Sequence, residues 1–133
     1  IHKNPVVVID GAHNPAAAKV LKDSLETYFQ GKNLHFIMGV FADKDYQSVI
    51  EMTAPLAKHI ITIETPGNPR ALSAGKLKEA VEKVNPSVEA AGSIREAVEK
   101  SMKNTQKDDV IAAFGSLSFL GELDREVQSM EGE

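Results

Sequence analysis

Apolar residues recur along this chain in two alternating patterns. Val6 to Asp10, Leu34 to Val40, His59 to Glu64, Val88 to Ala91 and Asp109 to Phe114 are short runs rich in Val and Ile, with little strict alternation. Continuous apolarity of that length predicts strands covered on both faces, as in a mainly parallel sheet. Between the runs the apolar period lengthens to that of a helix. Ala17, Val20, Leu21, Leu25, Tyr28 and Phe29 line one predicted face, and Lys19, Lys22, Asp23 and Glu26 the other. A second helix is expected from about Asp45 to Ala57, with Tyr46, Val49, Ile50 and Thr53 inward and Pro55 near its end. A third follows Ser73 and buries Leu77, Ala80, Val81 and Val84. The fourth opens at Ser93-Ile94-Arg95-Glu96, a capping box whose Ser and Glu satisfy each other's backbone donors. The fifth begins near Ser116, with Phe119, Leu120, Leu123 and Val127 at helical spacing.

Five strand–helix alternations with short connections predict one α/β domain, a mostly parallel Rossmann-like sheet with helices on both faces. The whole chain, 1–133, is read as that domain, with 1–5 as a linker remnant and 125–133 as a tail expected to fray. Ile1 in place of Met, and the lack of signal-peptide features in IHKNP, suggest a cut within a linker.

In such a fold ligands sit beyond the carboxyl ends of the strands, so the residues after each strand carry the candidate chemistry. After the first come Asp10, Gly11, His13 and Asn14, then Pro15. Asn before Pro is a helix start, and each of these residues taken singly is an ordinary turn or cap residue. Together they set an acid and a histidine at a helix N-terminus, where anionic groups are stabilised. Asp10 could accept from sugar hydroxyls and His13 could donate to a phosphate. After the second strand come Asp43, Lys44 and Asp45, readable as a solvated loop ending in a cap. After the third comes Thr65-Pro66-Gly67-Asn68-Pro69-Arg70, a turn-rich loop presenting a planar cation suited to carboxylate or phosphate. After the last, Ser116 either caps a helix or holds a carboxylate.

Composition narrows the field. With 133 residues, 42% hydrophobic and 26% charged, a single core is expected. The formal net charge of -4 and the lack of a Lys/Arg cluster argue against nucleic acid as a partner. No apolar run is long enough for a bilayer, so no membrane partner is expected. Without cysteine there is neither a disulfide nor a thiolate metal site, and a cytoplasmic location is expected. The four histidines are scattered with no ligand spacing, so no metal site is expected in this chain. Neither G-x-G-x-x-G nor G-x-x-x-x-G-K-[ST] occurs, and any nucleotide phosphates must be cradled by another domain.

DGAHNP, ADKDY, NPRAL and GSLSFL, in that order after the first, second, third and last strands, resemble the C-terminal domain of folylpolyglutamate and dihydrofolate synthases of the Mur ligase superfamily. The resemblance spans about Val6 to Leu123. It implies an ATP-dependent ligase that adds L-glutamate to a folate or to dihydropteroate through an acyl phosphate. It also implies that ATP and Mg2+ are held largely by an N-terminal P-loop domain of the same chain, so that this domain alone is inactive. Carried over by motif, Asp10 is similar to the acid at the ATP ribose, His13 and Asn14 lie beside the nucleotide, and Ser116 lies near the incoming glutamate. Asp43, Lys44, Asp45 and Arg70 are placed only on the cleft side. The alternatives are a stand-alone nucleotide or small-molecule binding module without chemistry, and a Mur-type ligase domain acting on another acceptor.

Overall fold

The computed structural model describes residues 6–11, 14–43, 45–106, 108–115 and 117–131. Five strands form one sheet: β1 (Val6–Asp10), β2 (Leu34–Gly39), β3 (Ala57–Thr62), β4 (Val88–Ala90) and β5 (Val110–Gly115). All pair in parallel, in the order β1-β5-β2-β3-β4. The last strand therefore lies between the first and the second, which the periodicity could not reveal. Strands with two hydrogen-bonded neighbours and two covered faces must be apolar throughout, and every residue of β2 and β5 is buried.

Alternation sorts those side chains into two cores. Phe36, Met38, Ile60, Ala112 and Phe114 face α1 (Pro15–Tyr28), α2 (Tyr46–Thr53) and α3 (Ala74–Glu82). Ile37, Ile61, Ile111 and Ala113 face α4 (Ile94–Asn104) and α5 (Leu117–Glu131). Phe36 and Phe114 meet edge to face with centroids 5.0 Å apart, a contact that adds about 0.5–1.5 kcal/mol to their burial.

Three expectations need adjustment. In α1 the buried residues are Ala18, Leu21 and Leu25, while Val20 is 66% and Tyr28 78% exposed. Val20 and Tyr28 thus belong to the part of the predicted face that turns to solvent. The second helix stops at Thr53, Pro55 falls in a 3₁₀ turn, Ala54–Leu56, and β3 starts already at Ala57. Proline lacks the N–H that another α turn needs, and the Asn85 side chain donates to the carbonyls of Ala54 and Ala57 at 2.9 and 2.8 Å. The capping box is shifted by one residue: Ser93 accepts from the Glu96 N–H at 3.0 Å, but Glu96 reaches back to the Gly92 N–H at 3.1 Å. At the far end, α5 continues to Glu131 and Val127 is buried. Residues 1–5, read as linker, lie outside the described residues.

Candidate functional site

Helices α1 to α4 each begin just beyond the carboxyl end of a strand, and a side-chain oxygen caps each one. Asn14 accepts from the Ala17 N–H at 2.9 Å, with Pro15 at the first helical position. Asp45 accepts from the Ser48 N–H at 3.2 Å and the Ser48 hydroxyl at 2.8 Å. Ser73 and Ser93 cap α3 and α4. Several helix N-termini thus face one edge of the sheet and favour negative charge there. Two consequences follow for the predicted site residues. Asn14 and Asp45 spend side-chain oxygens on caps, the structural reading of each, and Asp10 stands at the tip of β1 in register with Phe114.

The loops after β2 and β3 are tied together. Phe41 and Ala71 form an antiparallel bridge, the Ala42 N–H donates to the Arg70 carbonyl at 2.7 Å, and the Leu72 N–H donates to the Val40 carbonyl at 3.0 Å. On this base Arg70 donates from Nε and Nη2 to the two oxygens of Asp43, at 3.0 and 3.1 Å. Its guanidinium carbon lies 4.5 Å from the centre of the Phe41 ring. Sequence reasoning brought Asp43 and Arg70 to the same edge but missed their pairing, and it gave Phe41 no role. Nothing in the local pattern signals a contact across 27 residues.

β2 and β5 end on a close approach. Gly39 and Gly115 are partners in the parallel register, and Gly115 has φ +123°. A Cβ there would lie 2.0 Å from the Gly39 carbonyl oxygen, which only glycine avoids. The backbone at the ends of β2 and β5 is thereby fixed. His13, Lys44 and Ser116 themselves lie outside the described residues.

Two hollows open nearby. One, of about 530 Å³, runs beside β1 and is lined mainly by apolar groups of Val6, Val8, Leu21, Tyr28 and Phe29, with Asp10 at its border. The other, of about 560 Å³, lies between the starts of α3 and α4, with Glu64, Ser73, Gly92, Ser93 and Glu122 among its lining residues. Arg70 lines neither. Asp10 ends β1, whereas Asp43 follows β2 and Arg70 follows β3, two and three places along the sheet, roughly 10 and 15 Å at the usual strand spacing. The candidate site is therefore an open edge with two separate polar points. Among the described residues no group of three or more His, Cys, Asp or Glu could hold a metal ion.

The opposite end of the sheet is closed. Asp109, 5% exposed, accepts from Asn33 Nδ2 at 3.3 Å and the Gln106 N–H at 3.0 Å, and its Oδ2 lies 3.0 Å from Nε2 of buried His35. Burial acts to raise the Asp109 carboxyl, but the hydrogen bonds from Gln106, His35 and Asn33 outweigh it and hold the group below its ordinary value.

Residues 1–117 match the family described as Mur ligase, glutamate ligase domain. The folylpolyglutamate synthase of Lacticaseibacillus casei is 36% identical over 72 residues, 54% of this chain and 17% of that protein. The dihydrofolate synthase/folylpolyglutamate synthase of Haemophilus influenzae is 30% identical over 126 residues, 90% of this chain and 28% of that one. Among solved structures, the folylpolyglutamate synthase of Mycobacterium tuberculosis with ADP and AMPPCP aligns with a TM-score of 0.80 at 25% identity, covering 97% of this chain and 30% of that chain. Escherichia coli FolC with DHPP and ADP aligns at 0.88 and 20% identity, over 98% and 30% of the two chains, a likeness of fold. The chain thus spans under a third of the length of each of these relatives. Among the described residues no helix is long and apolar enough to cross a membrane.

Proposed function

The chain belongs to the Mur ligase family as its glutamate ligase domain, and from that premise we propose that it is the C-terminal closing domain of an ATP-dependent folate ligase. In this reading the γ-phosphoryl group of ATP passes to a carboxylate of dihydropteroate or of a folate. The amine of L-glutamate then attacks the acyl phosphate, and phosphate leaves as the amide forms. The triphosphate and Mg2+ belong to an N-terminal P-loop domain of the full-length enzyme, which is also this domain's partner. A cytoplasmic location accords with a cysteine-free enzyme using these substrates.

The observation that carries the reading is the turn after β1. Asp10 stands at the strand tip beside a helix start whose first turn is capped by Asn14 and opened by Pro15. There Asp10 accepts from a ribose hydroxyl of ATP while the N-terminus of α1 favours the nearby anion. His13 is assigned a place beside the nucleotide, Ser116 one near the incoming glutamate, and Lys44 one on the cleft side. Closure of the domain contributes by excluding water from an acyl phosphate that would otherwise hydrolyse.

The test is steady-state kinetics of the complete ligase. Asp10→Ala is expected to raise the KM for ATP about tenfold, the scale of a lost hydrogen bond to a charged group, with little change in the KM for glutamate. Unchanged ATP kinetics would remove Asp10 from the nucleotide site.

A further inference from the structure

We propose that Asp43 and Phe41 are positioning residues that aim the free end of the Arg70 guanidinium at a carboxylate of the bound amino-acid or folate substrate. The inference rests on the ligase reading above and deepens it. An arginine carries five N–H donors in one plane. Asp43 takes the Nε–Nη2 side, at 3.0 and 3.1 Å, and Phe41 covers a face at 4.5 Å. Three donors remain, two on Nη1 and one on Nη2, and Arg70 has no other side-chain partner among the described residues. An Nη1–H and the spare Nη2–H form the end-on edge, a second fork spaced for a carboxylate.

The base of this arrangement is equally constrained. The Arg70 carbonyl is held by Ala42, its N–H donates to the Asn68 side chain at 2.9 Å, and Ala71 bridges to Phe41. An exposed ion pair contributes little to stability, and both partners here are about half exposed. The value of the pair lies in the direction it imposes. A free arginine would lose several rotamers on binding, whereas this one has given them up beforehand. Asp43, expected at the cleft as a candidate ligand contact, acts through Arg70 instead.

The test uses the complete ligase, with separate KM values for glutamate, the folate substrate and ATP, alongside melting temperatures. Arg70→Ala is expected to raise the KM of one carboxylate substrate about 10- to 100-fold, and whichever of glutamate or folate responds is the source of the carboxylate. Asp43→Asn should raise the same KM about 3- to 10-fold, and Phe41→Leu about 2- to 5-fold, the effect falling on KM rather than kcat. In an Arg70→Ala background Asp43→Asn should add nothing to that KM, as a role in positioning Arg70 requires. An Asp43→Asn effect that adds to that of Arg70→Ala, or a lowered KM showing that Asp43 competes with the ligand, would overturn the positioning role while leaving Arg70 as a contact. No response to Arg70→Ala, or one confined to ATP, would remove the carboxylate site itself, and Asp10→Ala would still report on the ligase reading.

Discussion

At the amino end of the sheet Asp109 is buried and both its oxygens are engaged, by Asn33, Gln106 and His35. At the carboxyl end Asp43 lies open, and the arginine it holds keeps donors to spare. The same functional group thus serves two purposes. Without water, a carboxylate is tolerated only when its hydrogen bonds are made, so the Asp109 cluster is a closed structural unit. In water the same bonds are nearly balanced by hydration, so the Asp43 pair adds little stability and remains available to orient a ligand contact.

The contrast is sharpest if the open edge proves to rest on a rigid frame. Gly115→Ala is expected to have the largest effect, at least about 3 kcal/mol of destabilisation, because Cβ would enter the Gly39 carbonyl and the backbone is strained for any L side chain. A melting temperature within a few degrees of wild type would show the frame to be soft.

Asp109→Asn tests the closed end and should cost about 1.5–3 kcal/mol at neutral pH. The folded carboxyl lies below its ordinary value. Its contribution is therefore complete above the unfolded value, about 3.9, and lost as pH falls through the folded one. The gap in urea midpoint between wild type and variant should hold from pH 7 to about 5 and narrow below about 4. A gap that persists in acid would mean that the charge of Asp109 does not stabilise the fold.

Asn14→Ala is the mildest change, about 1 kcal/mol for the lost cap, and Asn14→Asp should recover it because aspartate caps equally well. Equal melting temperatures for all three would mean that the cap contributes nothing to stability.

Much of the fold was legible because strand and helix periods differ so plainly here. All five runs became strands, and Pro15, Ser73 and Ser93 marked helix starts within a residue. Strand order was not legible: the same apolar content suits β2 and β5 in either place. Val20 and Tyr28 were misassigned because periodicity gives a face its direction but not how much of it the neighbouring elements cover. Sequence placed Asp10, Asp43 and Arg70 at the carboxyl edge of the sheet, where they lie, because α/β topology brings every post-strand loop there. It missed the Asp43–Arg70–Phe41 contact and the Asp109–His35 contact, which span 27 and 74 residues. Such pairings follow from tertiary register, which no local pattern encodes.

The place of β5 between β1 and β2 has a consequence for the order of assembly. Val6 pairs with Val110, so the first strand finds its neighbour only after more than a hundred further residues have been made. Until then β1 has no native partner, and a chain emerging from the ribosome can pair only β2, β3 and β4. Folding that depends on such distant contacts is slow and leaves strand edges open meanwhile. Completion of the sheet, and with it the Gly39–Gly115 junction, awaits β5.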